Sequence, residues 1–573
     1  MRARVAGVCP FMTSVIATLL ANDLIGTRDH MMALWTRAWD PWRRYWLAPG
    51  GACSIAAIRI AIALSLLWML WRFHPITGEP PSASYYRIGI WLLYPGRPGP
   101  GLLSALEVIA WGSTAALLVG AGARIAHPIS LVSALALATY RVSDTPTWSH
   151  PDVPPLLASI AFLGVHGGAA LSVDAWWRRR RGQPAPGGQA HQASLRLVQI
   201  AVVAVFFVAG FLKIKSGRGL VWALSDNLRN QLLVRYDALD VARTPVADWL
   251  LAAPWRYQLC ALLNLVTQTS QIAAVFLMRR PGLRALLGAA YCAEVLGLGA
   301  VMNLWNLHWL PLAAVFIDWD ALAARWRSPA AAPAAPLRAP GRIAFATAYV
   351  VFFALQAFWL NQRLRAYPFS SFPLYDDVRA RPPFDRHQTY ELIGGHIEPL
   401  AARPPPPELV RWLAAQGTFR RMWHDREPAQ LARDLRVILD DTRAAFPHAG
   451  LTGVRLWLSV FQAAPYPAPA RLDRVDVAII GELGGDGALR TALGALAGDA
   501  ITVRSPRPDA VLAGAALAVM VDDVPSLRPV AATATATGWT LAAPLAGDPV
   551  YLVAQPPGAA APWLVAGRTY RGY

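Results

Sequence analysis

The sequence predicts an all-α polytopic membrane bundle of about eight to nine transmembrane helices followed by a soluble extracytoplasmic α+β tail. Three observations lead there. The chain is 55% hydrophobic with 24 tryptophans in 573 residues, apolar runs of membrane-spanning length recur along its first two-thirds, and arginines gather in alternate connections between those runs.

The candidate spans are 55–72, 103–122, 126–141, 155–173, 196–215, 257–278, 284–302, 304–320 and 342–362, of which 126–141 and 304–320 are short. Residues 1–31 form an N-terminal extension of open status: Val15 to Ala21 has the length of a signal-peptide core rather than a span, and Met31 or Met32 offers an alternative start. The stretch from Trp35 to Gly51, rich in Trp and Arg, reads as a membrane-surface segment. Tyr85, Tyr86, Trp91 and Tyr94 mark an interfacial loop between the first two spans, and the spacing through 220–234 predicts an amphipathic helix lying against the membrane. The main transmembrane domain covers 32–327, a Pro/Ala linker 328–341, a last span 342–362 and the tail 363–573. Within the tail, 389–394 and 454–460 alternate as strands, 406–418 and 428–445 have helical spacing, and the part beyond 480 reads as β-containing.

A formal net charge of +18 invites a nucleic-acid reading, but its distribution argues otherwise. Arg37, Arg43 and Arg44 precede the first span, Arg178 to Arg181 form one block, Arg279, Arg280 and Arg284 a second, and Arg325, Arg327, Arg338 and Arg342 a third. The connection from Ser143 to Asp152 carries no basic residue except His150. This is the positive-inside pattern; it predicts a multipass protein of the cell membrane with a cytoplasmic N-terminus and an extracytoplasmic tail, and its partner is the lipid bilayer rather than nucleic acid. The four cysteines lie in or beside apolar segments and form no disulfide framework or CxxC site.

Only two of the 53 basic residues are lysines, Lys213 and Lys215, at the outer end of one apolar helix. Arginine stays charged at any biological pH, whereas a lysine in an apolar site can lose its proton and act as a base. The competing explanation is a nucleotide bias toward arginine codons that left two neighbouring survivors. Charge asymmetry puts His150 and Lys213 on the same side, within reach of one site. Glu294, within a span, is either functional or helix-packing glue. Arg196 reads as a snorkelling anchor and His166 as a packing residue. His387, His424 and Asp425 read as surface residues, and His396 with Glu398 as a solvated strand face rather than a metal site.

The helix from Gln199 through Ala209-Gly210 to Lys213, the position of His150 before Ser172-Val-Asp174, and the Met302-Asn303 segment together resemble the vitamin K-dependent gamma-carboxylase and its bacterial HTTM-domain relatives, over roughly residues 32–327. The resemblance implies that Lys213 deprotonates a reduced quinone, vitamin K quinol or menaquinol, with His150 assisting. Oxygen then yields a strongly basic alkoxide that removes a glutamate γ-proton from an exported peptide or protein, and carbon dioxide adds to the carbanion. Ser225-Asp226 and Ala300 depart from the family pattern, which has glycine and histidine near those places. The alternative from another class is a non-enzymatic membrane anchor or accessory protein that presents its tail to a partner. A transporter lacks support, since no inverted repeat or pair of Gly/Pro-broken helices is evident.

Overall fold

The computed structural model describes residues 51–77, 87, 89–144, 150–163, 165, 167–183, 189–215, 219–238, 241–277, 280–325 and 351, and in the C-terminal part residues 365–366, 369–370, 385–393, 428–445, 450–463, 470–497, 500–503, 515–521, 527–535, 538–542, 550–558 and 561–567. Six helical stretches among them are long and apolar enough to cross a membrane. They are α1 (Ala52–Phe73), α2 (Pro100–Val119), α3 (Ala123–Asp144), the apolar part of a later helix from Leu195 to Lys215, the stretch Pro254–Phe276, and Pro281–Met302.

Between α3 and the Leu195–Lys215 stretch lie a 3-10 turn (His150–Asp152), α4 (Val153–Ala161) and α5 (Val173–Arg180). Next come α6 (Gln189–Lys215), α7 (Leu220–Leu224), α8 (Asn227–Leu233), a π turn (Val234–Ala238) and α9 (Pro245–Leu251). The bundle closes with α10 (Pro254–Ser270), α11 (Ala273–Phe276), α12 (Pro281–Met302), a 3-10 stretch (Leu307–Phe316) and α13 (Trp319–Ala324).

Two predicted spans, 155–173 and 304–320, are not span-length helices, yet both segments run from one end of the bundle to the other. Asp152 lies 3.4 Å from Arg72 at the end of α1, whereas Asp174 accepts from the backbone of Gly122 and Ala123 in the α2–α3 turn. After α4 the chain is unwound, and the fully buried Arg59 donates to the carbonyls of Gly167 and Leu171 at 2.8 and 2.6 Å, supplying donors the broken backbone needs. Gly120, the left-handed C-cap of α2 at φ 67°, makes room for this contact: a Cβ there would meet Arg59 Nη1 and Ser172 Cβ at 2.4 Å. In the second segment Pro311 removes a donor and the chain adopts the longer-rising 3-10 form, about 20 Å over its ten residues. Its buried face of His308, Trp309, Leu312, Val315 and Phe316 packs into the main core.

The helices α1, α6 and α12 start at one end, where Asp320 accepts from the backbone of Cys53 and Ser54, and Arg284 from α12 donates to the Phe316 carbonyl. Arg178 to Arg181 follow Asp174 at this arginine end. The opposite end carries the two lysines. Exposed tryptophans flank both ends: Trp176 and Trp177, which carry Arg180 and Arg181 over their rings, and Trp249 and Trp255, which pack edge to face. Large apolar side chains such as Val108, Ile125, Leu263 and Leu286 remain exposed between them, as a bilayer would require.

The predicted amphipathic surface helix over 220–234 is instead two short helices, and residues 227–234 are all buried. Hydrophobic spacing alone places its polar residues outward, whereas residues 227–234 are buried inside a cap that packs onto α10. Trp91, expected in an interfacial loop, is buried, and its indole donates to the Ala136 carbonyl at 2.8 Å.

In the C-terminal part, β1 (Asp385–Ile393), β2 (Gly453–Ala463) and β3 (Leu472–Gly484) are antiparallel neighbours in an eight-stranded sheet. The helix α14 (Pro428–Ala445) lays Leu431, Leu435 and Leu439 on Val454, Leu456 and Leu458, a one-face stripe meeting alternating strand residues. A separate four-stranded sheet lies beyond residue 493. The predicted helix over 406–418, the linker 328–341, the surface segment up to Gly50 and the last span 342–362 apart from Val351 lie outside the described residues.

Candidate functional site

Lys213 and Lys215 part company in the structure. Two residues apart on a helix, they point about 200° away from each other, and Lys213 is 2% exposed whereas Lys215 is exposed. Nζ of Lys213 donates to Asn264 Oδ1 and to Gln268 Oε1, both at 2.8 Å. The amide nitrogens of the same two residues donate to Glu294 Oε1, Gln268 at 2.8 Å. An amine and a carboxylate from two different helices are thus joined by two parallel amide bridges from a third.

Helical spacing builds this arrangement. Asn264 and Gln268, four residues apart, fall on one face of α10 together with Tyr257 and Ala261. Glu294 lies one turn after Tyr291 on the buried face of α12. On α6, Gln199, Phe206 and Lys213 recur every seven residues, each turned about 20° from the one before, so the three share a face within about 40°. Gly210, one turn before Lys213, lets α6 approach α10: a Cβ there would stand 2.9 Å from Thr269 Cγ2 and 3.0 Å from Gln268 Cβ.

The cap over this end seals the site. The Trp222 ring lies 4.6 Å from Nζ, and Tyr257, fully buried, donates to Asp226 at the start of α8. Arg235 and Tyr236 donate to the carbonyls of Met302 and Val301, tying the cap to the end of α12, and Asn303 continues in left-handed conformation with its amide donating to the Ala242 carbonyl. Thr244 binds the Ala300 carbonyl. The tail also docks here. Asp237 accepts from the backbone of Leu472 at 2.7 Å, and Arg243 donates to both Asp237 and the Ala470 carbonyl.

His150 opens the 3-10 turn that starts the crossing toward α4, at the same end of the bundle as Lys213, and its side chain lies outside the described set. The turn itself is pinned. Its Pro151 carbonyl accepts from His308 Nε2 at 2.7 Å and from Trp309 Nε1 at 2.6 Å, and Trp309 packs on Phe206, two turns before Lys213. Sequence reading passed over His308, Asn264 and Gln268, which carry no motif; the Asn and Gln are legible only as unusual amides in an apolar run. Glu294 was legible as an intramembrane carboxylate, and the structure puts it in the lysine cluster. Arg196 is not a snorkelling anchor, being 4% exposed. His166, His396, Glu398, His424 and Asp425 lie outside the described residues, as does the His387 side chain.

Comparison with protein-family profiles, curated proteins and solved structures finds no match to this chain.

Proposed function

We propose that the bundle belongs to the HTTM and gamma-carboxylase-like type and performs a quinol-linked deprotonation with Lys213 as base, coupled to carboxylation of an exported peptide. The observation that carries this reading is the pair of 2.8 Å hydrogen bonds from a buried Nζ to two amide oxygens. A neutral amine has two N–H groups and one lone pair. The two amide oxygens suit the two N–H groups, and the lone pair is what can take a proton from a substrate. That proton leaves a substrate hydroxyl, whose O–H electron pair stays on oxygen, and Nζ becomes an ammonium beside the Trp222 face and linked to Glu294 through the amides.

The donor set fits a quinol: a base, a carboxylate one amide away and an aromatic wall suit a flat hydroxylated ring. A bound quinol supplies the acidic hydroxyl and, with oxygen, the stronger base that carboxylation by carbon dioxide requires. Because Lys213 is buried, a substrate reaches Nζ only when part of its surroundings shifts.

The same reading gives the protein a cytoplasmic N-terminus and a tail outside the cell. In its support, the described bundle ends at Arg325 at the arginine end, whereas the tail meets the bundle at the lysine end, and the predicted span 342–362 lies between them in sequence. Purified protein in lipid nanodiscs should consume oxygen when given menaquinol or vitamin K quinol. No consumption with either, in folded protein, would leave the non-enzymatic anchor, for which the docked tail speaks.

A further inference from the structure

The short helix α5 presents an exposed face that the proposed reaction does not use. Its inner side is fixed: Ala175 is buried, and the Arg178 guanidinium donates to the Gly168 carbonyl. At 100° per residue the other side turns outward, where Val173, Trp176 and Trp177 are 45%, 43% and 48% exposed. Arg179, Arg180 and Arg181 are exposed beside them. Arg180 lies over the Trp176 ring at 4.1 Å and Arg181 over the Trp177 ring at 4.8 Å, each pair four residues apart.

Among the described residues, the guanidinium groups of Arg179, Arg180 and Arg181 have no ion pair and no hydrogen bond. Asp174, the single acidic residue over 172–183, is taken up by the backbone N–H groups of Gly122 and Ala123 at 2.8 and 2.9 Å. Arg124, exposed directly after that turn, adds a fourth positive charge. Guanidinium stays protonated at any biological pH, so this face carries charge that the described protein does not offset. A ring beneath a guanidinium covers its plane and leaves the in-plane N–H groups, which suit phosphate oxygens two at a time.

Position narrows the occupant. The bonds of Asp174 fasten α5 to the turn joining two helices of membrane-spanning length, the depth at which headgroups meet hydrocarbon. An acidic protein or a nucleic acid would satisfy the charge but leave Val173 and the indoles without an apolar partner. A lipid surface satisfies both.

We propose that α5 docks on anionic phospholipid: Val173, Trp176 and Trp177 enter the headgroup boundary, while Arg179, Arg180 and Arg181, with Arg124, hold headgroup phosphates. A zwitterionic headgroup carries an ammonium that cancels the attraction, so the face prefers lipids of net negative charge such as phosphatidylglycerol.

The test releases the full chain from nanodiscs of equimolar phosphatidylglycerol and phosphatidylcholine and identifies the lipids it retains by native mass spectrometry. A basic residue near an anionic surface contributes about five-fold, so the unmodified protein should favour phosphatidylglycerol by about ten-fold or more. Replacing the three arginines together (Arg179→Gln, Arg180→Gln, Arg181→Gln) should cut that preference by about five-fold or more. The pair Arg180→Gln with Arg181→Gln should show a smaller loss, and it decides the matter if the triple variant misfolds. Arg256→Gln, which removes the guanidinium over Trp249 and Trp255 at the other end of the bundle, should change nothing. Equal retention of the two lipids by the unmodified protein would overturn the proposal, and binding of a poly-glutamate peptide in their place would assign the face to an acidic polypeptide. A preference undiminished in the arginine variants, or a loss as large in Arg256→Gln, would overturn it as well.

Discussion

At the lysine end, Nζ of Lys213 faces two amide oxygens and, through them, one carboxylate; at the arginine end, Arg196 and Arg284 line a cavity with Asp318 and Asp320. Both are buried polar sites in an apolar bundle, and both stand where helices end. They differ in what their cations can do. An amine among neutral amides can exist with or without its proton, so the first site suits proton transfer. Guanidinium groups cannot give theirs up, so the second does not suit proton transfer. The surroundings differ in step: the first is buried with the Trp222 ring over its amine, the second lines a cavity.

The comparison breaks most visibly at Glu294. Glu294→Leu leaves the lysine and two amides without their carboxylate and should destabilise by about 3–5 kcal/mol, as removal of one partner of a buried pair does. Pairing it with Lys213→Met should restore much of that loss. Denaturant unfolding of the two single variants and the double variant measures the coupling; additive losses would show that the cluster does not act as a unit. Gly210→Val should follow at about 1–3 kcal/mol, because its side chain would push α6 away from Thr269 and Gln268. The same substitution at Gly112, where an added Cβ meets nothing within 4 Å, is the control. Least is expected from Asp320→Ala at the arginine end. It removes a cap from α1 and should cost about 0.5–2 kcal/mol with no effect on any quinol-dependent rate.

Much of the helical framework was legible because depth in a membrane is written in apolarity, and six runs of the right length are helices long enough to span. Apolarity reports burial, however, and says little about backbone form. Residues 155–173 and 304–320 are apolar and traverse the bundle, but Pro311 and the glycines around 167–168 set their conformation, and Arg59 supplies donors that no local pattern announces. Alternation at 389–394 and 454–460 marked strands that run over 385–393 and 453–463, and helical spacing over 428–445 marked α14. Lys213 stood out by rarity. Asn264 and Gln268 did not, since their role depends on α6 and α10 meeting at Gly210, a tertiary contact. The segment 220–234 does not lie on the surface as its spacing predicts, because its polar residues face inward to partners distant in sequence.

The central claim, that Lys213 is a base and more than a relic of codon usage, is tested most directly by oxygen consumption with menaquinol in Lys213→Arg and Lys215→Arg, each checked for folding by tryptophan fluorescence. The expected result is a loss of about 10²–10⁴-fold in Lys213→Arg, the usual contribution of a general base, and a rate near that of the unmodified protein in Lys215→Arg. Equal rates in Lys213→Arg and the unmodified protein would contradict it.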